Sequence, residues 1–231
     1  MFKRLQALLW SRKEILLANK QTSIMLIFPL MFAGIYSFIF KDMLDSNKMI
    51  FTMILPMLTA MIGYLLPILI AEEVEKNNQR SLLMAGVKYE EYIFSNLVIP
   101  FMAVLIYLLS LPFMLRVSIE NWTTYLLVNI VTTIVVFILY TAIALLCDTQ
   151  AKASMAAMPI MMVNLLLPIA GMTSESISEI ADYTYMGAFS QWRETRSDYA
   201  LTDKTFFILL IWLVISVLVA GVVIRRKKVI E

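Results

Sequence analysis

The sequence contains no histidine and only one cysteine, Cys147, among its 231 residues. Histidine is the commonest general base and metal ligand, so both kinds of site lack their usual side chain. One cysteine cannot form an internal disulfide or a multi-cysteine metal site. Charged residues are also scarce, at 16%, whereas hydrophobic residues make up 61%. Because soluble domains are about 25% charged and about 45–50% apolar, the composition indicates a membrane protein.

The hydrophobic residues are concentrated in runs that are long enough to cross a bilayer. A helix needs about 20 apolar residues to span roughly 30 Å of hydrocarbon, and its backbone groups must be hydrogen-bonded within the helix. Six runs qualify: 21–40, 49–71, 92–115, 121–147, 153–174 and 205–224. We therefore predict an all-α integral membrane protein whose residues 1–231 form a single transmembrane domain.

Lysine and arginine are distributed unevenly among the segments that join these runs. If the N-terminus is cytoplasmic, 13 of the 19 basic residues lie in cytoplasmic segments, including the terminal "RRKK". The positive-inside rule therefore predicts that both termini are cytoplasmic. The charges throughout residues 1–20 do not favour a cleavable signal peptide. We therefore expect a multi-pass protein of the cytoplasmic membrane.

Residues 1–20 have the pattern of a basic amphipathic helix. One predicted face carries Leu5, Leu8, Leu9, Ile15 and Leu16, and the opposite face carries most of Lys3, Arg4, Arg12 and Lys13. A helix of this kind, placed just before a span, is expected to lie along the membrane interface. It serves either as an anchor that sets orientation or as a mechanical element.

All seven prolines lie inside the predicted spans: Pro29, Pro56, Pro67, Pro100, Pro112, Pro159 and Pro168. Proline removes a backbone hydrogen bond and tends to kink a helix, which would suit a pathway that opens and closes. Proline is also generally frequent in membrane helices, so both interpretations stay open. Among the polar residues of the spans, Asn129 and Asn164 best suit a polar pathway, although such groups commonly form hydrogen bonds between helices.

The stretch "EEVEKNNQRSLLMAGVKYEEY", residues 72–92, gathers charge between the second and third runs. Leu82, Leu83 and Met84 form a short apolar group beside Arg80, and Gly86 favours a turn after it. A short helix with an exposed apolar group suits docking into a groove on a soluble partner. The alternative is a charged loop that only separates the two spans.

No motif in the sequence points to catalysis. The phosphate-binding pattern G-x-x-x-x-G-K-[ST] is absent, and the six glycines are scattered singly. The predicted span cores contain no ionisable residue of the kind that proton-coupled carriers and ion pumps usually place there. We therefore predict a non-enzymatic protein that binds no cofactor, metal or nucleic acid itself.

Residues 72–92 resemble the first cytoplasmic loop of the membrane subunits of type-2 ABC exporters. Those subunits have a glutamate-rich end of the second span, a basic residue, a short leucine-rich helix and a charged entry to the third span. The resemblance extends to the six-span architecture and to an interfacial helix before the first span. Two departures exist: Gly86 stands where many relatives have proline, and "YMGAFSQW" lacks the Asn-Pro that relatives often show there.

The resemblance implies specific roles for three segments: 1–20 as the interfacial elbow helix, 72–91 as the loop that couples to an ATPase, and 173–204 as an outer re-entrant or interfacial segment. The implied coupling residues are Glu72, Glu73, Glu75, Arg80, Leu82, Leu83, Met84 and Gly86. The implied interfacial anchors of the outer segment are Tyr183, Tyr185, Phe189 and Trp192.

By the same resemblance, the chain is a permease subunit that works with separate ABC ATPase subunits, which bind ATP and magnesium, and with a second copy or a homologous permease. Its methionine and aromatic content suits amphipathic or apolar cargo, as in small bacterial exporters of bacteriocins and phenol-soluble modulins. Drugs and lipid-linked glycans are the alternative cargoes. A non-transporting membrane scaffold or sensor is the alternative function.

Overall fold

A computed structural model describes residues 2–40, 46–171, 174–195 and 199–230. Within them the chain is helical, and six stretches are long and apolar enough to cross a membrane: Thr22–Ile39, Ser46–Glu75, Tyr89–Met114, Trp122–Leu146, Gln150–Gly171 and Lys204–Arg226. The predicted all-helical class and the six predicted runs are confirmed, with bounds that differ by a few residues. The six helices indicate a multi-pass membrane protein.

The helices follow one another with short connections. Their bounds are α1 Phe2–Ala18, α2 Lys20–Ile39, α3 Ser46–Met57, a π-helical turn Leu58–Ile62, α4 Gly63–Glu75, α5 Asn78–Met84, α6 Tyr89–Met114, α7 Trp122–Leu146, α8 Gln150–Gly171, α9 Glu175–Asp182, α10 Gly187–Thr195 and α11 Lys204–Ile230. All seven prolines lie inside helices, as the predicted spans require. The short helices α5, α9 and α10 lie outside the spans.

The second span forms the centre of the bundle. It consists of α3, the π-helical turn and α4, and 78% of its most apolar window is buried, against 17% for the first and last spans. The π-helical turn begins at Leu58, two residues after Pro56. A proline cannot donate the backbone hydrogen bond that a regular helix needs at that point, and π-turns are local adjustments of the hydrogen-bond ladder.

Close packing of α4 against α7 depends on a glycine. A Cβ atom at Gly63 would lie 2.8 Å from Cε2 of Tyr140, so the tyrosine ring occupies the space that any other residue would fill. The Tyr140 hydroxyl donates a hydrogen bond to the carbonyl oxygen of Ala60, inside the π-helical turn, at 3.3 Å. Thr59 and Thr133 make a second polar contact between the same elements, at 3.4 Å.

Helices α9 and α10 connect α8 to α11. The predicted outer segment 173–204 is described except for residues 173 and 196–198, which lie outside the described residues. Tyr185, Phe189 and Trp192 are buried inside the bundle, with the Trp192 ring 5.3 Å from that of Tyr125. Tyr183 is exposed, and its carbonyl accepts a hydrogen bond from Nε1 of Trp212 at 3.0 Å. These helices are therefore attached to the bundle by aromatic contacts.

Candidate functional site: the segment between α4 and α6

The charged stretch 72–92 is more helical than a simple loop. α4 continues to Glu75, and α6 begins at Tyr89, so the connection between the two spans is residues 76–88, most of which is α5. Glu72, Glu73 and Glu75 therefore belong to the last turn of α4. Asn77 joins α4 to α5 with a left-handed backbone, φ 59°, a conformation that asparagine tolerates better than most residues.

Helix α5 ends in a Schellman motif centred on Gly86. The Gly86 N–H bonds to the Leu83 carbonyl at 2.9 Å, and the Val87 N–H bonds to the Leu82 carbonyl at 3.1 Å. Gly86 has φ +85°, which glycine adopts without a steric penalty. The predicted turn after the leucines is thus present, and its glycine is required by the backbone conformation.

The side chains of α5 divide into an attached face and a free face. Leu82 and Leu83 are half-buried and pack against a cluster that includes Leu8 of α1 and Tyr92 of α6. Arg80 is exposed, and Met84 is 81% exposed. The predicted apolar group is therefore split, because its leucines hold α5 to the bundle while its methionine points away from it.

A buried ion pair joins α1 to the end of α4. Nη1 of Arg12 donates to Oε1 of Glu73, and the two residues are only 5% and 6% exposed. The guanidinium also lies over the ring of Tyr92, 5.3 Å from its centroid, and Nε points to the Ser95 hydroxyl at 3.5 Å. Burial lowers the pKa of Arg12, and its proximity to Tyr92 partly offsets this. Arg12 nevertheless stays protonated, because the ordinary pKa of a guanidinium is far above neutral pH.

The placement of Arg12 corrects the predicted amphipathic pattern of residues 1–20. The buried stripe of α1 is Leu8, Arg12 and Leu16, spaced four residues apart, so Arg12 lies on the apolar side of the helix. Ile15 lies close to Leu8 around the helix axis and is 37% exposed. The predicted opposition of leucines and basic residues is therefore wrong at Arg12. Two signals in the sequence could have shown that Arg12 is buried. One is its i, i+4, i+8 spacing with Leu8 and Leu16, and the other is the presence of glutamates that could pair with a buried arginine.

A second contact between α1 and this segment is made by Arg4. Its Nη1 donates to the carbonyl oxygen of Gly86 at 2.5 Å and lies 3.8 Å from Oε2 of Glu91. The same glutamate accepts a hydrogen bond from the backbone N–H of Lys88 at 3.1 Å, which caps the first turn of α6. Arg4 thus connects α1 to the C-terminal end of α5 and to the beginning of α6.

A third contact extends to α8. Oε2 of Glu75 accepts a hydrogen bond from the backbone N–H of Gln150, the first residue of α8, at 2.9 Å. A carboxylate is stabilised at a helix N-terminus because the free N–H groups and the helix dipole are positive there. Glu72, in the last turn of α4, forms an ion pair with Lys76, the residue after the helix, at 2.5 Å, and this hydrogen bond raises the pKa of Lys76.

The two asparagines predicted to suit a polar pathway are both buried. Nδ2 of Asn129 donates to the backbone carbonyl of Tyr125 in its own helix at 2.8 Å. The backbone carbonyl of Asn129 accepts a hydrogen bond from the Thr133 hydroxyl at 2.7 Å. Asn164 is fully buried beside Tyr140. Both asparagines therefore lie in the interior of the bundle formed by this one chain.

These contacts attach the short helix α5 and its two flanking connections to the bundle. Salt bridges and hydrogen bonds link the α4–α6 segment to α1 and α8, and leucine packing links it to α6, while Arg80 and Met84 remain at the surface. Comparisons with protein-family models, curated proteins and solved structures find no match for this chain.

Proposed function

We propose that this chain is the membrane-spanning permease subunit of an ATP-driven exporter of the type-2 ABC class. In this proposal α1 lies along the cytoplasmic interface, both termini are cytoplasmic, and α5 is the helix that contacts a separate ATPase subunit. Two permeases, identical or homologous, would form the transport pathway between them in the cell membrane. The ATPase subunits would hold ATP and magnesium.

The observation that carries the proposal is that one face of α5 is exposed while the segments at its two ends are attached to other helices. Arg80 and Met84 are exposed and suit a partner groove that offers an acidic residue and an apolar pocket. The base of α5 is connected to α1 by Arg4 and, through the end of α4, to α8 by Glu75. A push on α5 would therefore reach four helices at once, as an energy-coupling element requires.

The mechanism follows from these connections. ATP-driven closure of the ATPase pair would move α5, and the attached ends of α1, α4, α6 and α8 would move with it. Shifting a two-state equilibrium from 1:99 to 99:1 requires about 5.5 kcal/mol of differential binding. ATP binding can supply that free energy. The cargo class we propose is amphipathic or apolar, with peptides preferred over drugs and lipid-linked glycans.

The direct test is co-expression of this chain with ABC ATPase subunits from the same genome, followed by capture of the ATPase and measurement of ATP turnover in proteoliposomes. We expect Met84→Asp and Arg80→Glu each to reduce capture of the ATPase and its stimulated turnover by about tenfold, which corresponds to about 1.4 kcal/mol at the contact. Lys152→Glu is a matched control for the change of charge, since Lys152 is an exposed basic residue on α8 and not on α5.

Two results would count against the proposal. Wild-type capture and turnover in both variants would show that the free face of α5 does not bind the ATPase. Co-purification with a kinase or another regulatory protein instead of an ATPase would favour a membrane scaffold or sensor. Export of candidate peptides from cells that express the complete complex would then test the cargo class.

A further inference from the structure

Two large apolar side chains of α1 are exposed: Trp10 by 65% and Leu17 by 60%. The exposed Lys13 lies three residues after Trp10 and four before Leu17, so the three side chains share one face of the helix. Lys20, also exposed, continues this spacing at the first position of α2. We call Trp10, Lys13, Leu17 and Lys20 the outer stripe. The described part of the chain leaves this stripe uncovered.

Contacts on another side of α1 show which way the outer stripe points. Arg4 donates to the carbonyl of Gly86, and Ile15 lines a cavity together with Lys76. This side of α1 therefore faces the polar connection 76–88, which lies outside the spans. At about 100° of rotation per residue, the α1 members of the outer stripe lie roughly 120–180° around the axis from Arg4 and Ile15. The outer stripe therefore faces away from the polar connection.

The outer stripe continues into the exposed face of the first span. In α2, Ile24, Ile27 and Met31 are exposed and repeat the alternating steps of three and four residues. The Thr22 hydroxyl donates to the Leu16 carbonyl at 2.9 Å, which holds the beginning of α2 against the end of α1. The apolar window of α2 also begins at Thr22, so its exposed face is the one that meets lipid hydrocarbon. The outer stripe therefore extends a lipid-facing surface to the edge of the hydrocarbon.

The chemistry of the outer stripe suits an anionic membrane interface. Tryptophan prefers the level where hydrocarbon meets headgroups, because its ring is apolar and its N–H is polar. A lysine can lay its methylenes along Leu17 and extend its ammonium group to a lipid phosphate. Neither Lys13 nor Lys20 forms an ion pair within the described part of the chain, so both charges are available. A soluble partner could not follow the stripe past Lys20, since α2 continues into hydrocarbon.

We propose that the outer stripe binds anionic phospholipid, with Trp10 and Leu17 inserted at the edge of the hydrocarbon and the ammonium groups of Lys13 and Lys20 on the headgroup phosphates. The proposal goes beyond the proposed function, because it depends on the membrane position of α2 and not on export. Helix α1 is then held on two sides, by the ion pair with Glu73 on the bundle side and by lipid on the other.

The first test locates the outer stripe relative to the bilayer. A nitroxide spin label is attached to the full-length protein in vesicles at Leu17→Cys, in a Cys147→Ala background. The matched control is Ser11→Cys, because Ser11 is exposed seven residues after Arg4 and on the same side of α1. We expect the label at position 17 to collide mainly with oxygen, which dissolves in hydrocarbon, and the label at position 11 to collide mainly with a water-soluble nickel chelate.

Two outcomes of this labelling would overturn the proposal. Preferential collision of both labels with the nickel chelate would place the outer stripe in water. Protection of the label at position 17 from both reagents would show that a protein surface, such as a second copy of this chain, covers the stripe.

The second test measures the lipid preference. The full-length protein is incorporated into vesicles with equal amounts of phosphatidylglycerol and phosphatidylcholine of matched acyl chains, and the lipid retained after extraction into detergent is identified by native mass spectrometry. We expect the wild type to retain phosphatidylglycerol about tenfold over phosphatidylcholine, equivalent to about 1.4 kcal/mol. K13Q/K20Q should lose most of this preference, since lysines near an anionic surface favour its binding.

The matched control for the lipid preference is R80Q/K152Q, which removes two exposed basic residues outside the outer stripe and should keep the preference. Because Lys13 and Lys20 are exposed as well, K13Q/K20Q should fold like the wild type. Equal retention of the two lipids by the wild type, or an equal loss of preference in both double variants, would overturn the proposal. An unchanged preference in K13Q/K20Q would overturn it too.

Discussion

Arg12 and Glu73 form a buried ion pair between residues that are 61 positions apart in the sequence. The contact joins α1 to the end of the second span, and the Tyr92 ring covers its guanidinium. Helix α1 is outside the spans, and this ion pair is a polar contact that fixes its position against α4.

Removing one partner of this pair should destabilise the protein more than removing both charges. Arg12→Ala leaves a buried carboxylate alone, and breaking a buried pair in this way costs about 3–5 kcal/mol. The double variant R12Q/E73Q, in which both charges are removed, should have a stability much closer to that of the wild type. Thermal unfolding in detergent measures the difference. An Arg12→Ala variant as stable as R12Q/E73Q would mean that the pair is open to water.

Gly63→Ala should disturb the contact between α4 and α7. The added Cβ would approach Tyr140 to 2.8 Å, so the ring must move, and overpacking of this kind costs about 1–3 kcal/mol. Gly34→Ala is the matched control, since nothing lies within 4 Å of the position and alanine favours the helix. We expect a lower unfolding temperature for the first variant and an unchanged or higher one for the second.

Arg116→Gly should stabilise the end of α6. Arg116 has φ 52° at the position after the helix, where the Val117 N–H bonds back to the Pro112 carbonyl at 2.9 Å. A left-handed backbone costs a residue with a Cβ about 1–2 kcal/mol, and glycine avoids that cost. Gly86→Ala is the opposite experiment. A Cβ at this position would meet no atom within 4 Å, but the φ of +85° is unfavourable for alanine, so the variant should be less stable than the wild type. Equal unfolding temperatures for both variants and the wild type would contradict this account.

The proposed topology can be tested by cysteine labelling. Cys147 is buried, so the wild type should react poorly, whereas Met84→Cys creates an exposed thiol on α5. A membrane-impermeant maleimide should label Met84→Cys in inside-out vesicles and not in intact cells. Glu179→Cys, on the exposed side of α9, should show the reverse. The same labelling pattern for both variants would exclude an arrangement in which α5 and α9 lie on opposite sides of the membrane.

The spans could be predicted from the sequence because each consists of about 20 apolar residues, a signal that does not depend on tertiary contacts. Their ends were harder to predict, since α4 continues through Glu72, Glu73 and Glu75 by pairing these charges with Arg12, Lys76 and Gln150. Hydropathy alone treats such residues as loop. The turn at Gly86 followed from one residue, because its backbone requires a left-handed conformation there.

The site was predictable only in outline. The pattern at 80–84 indicated a docking helix, but it did not show that Leu82 and Leu83 attach that helix to the bundle while Met84 stays free. That division depends on the position of α1, which is set by the pairing of Arg12 with a residue far away in the sequence. A single sequence contains no direct record of such a pair.

The π-helical turn of Leu58–Ile62 divides the second span into α3 and α4. The wider turn changes the rotation of α4 about the helix axis relative to α3. One residue corresponds to about 100° of rotation in an α-helix, so deleting a residue there would turn either Gly63 away from Tyr140 or α3 away from its own neighbours. If the wide turn moves along the helix by one position, only the residues it passes rotate, and both ends keep their contacts.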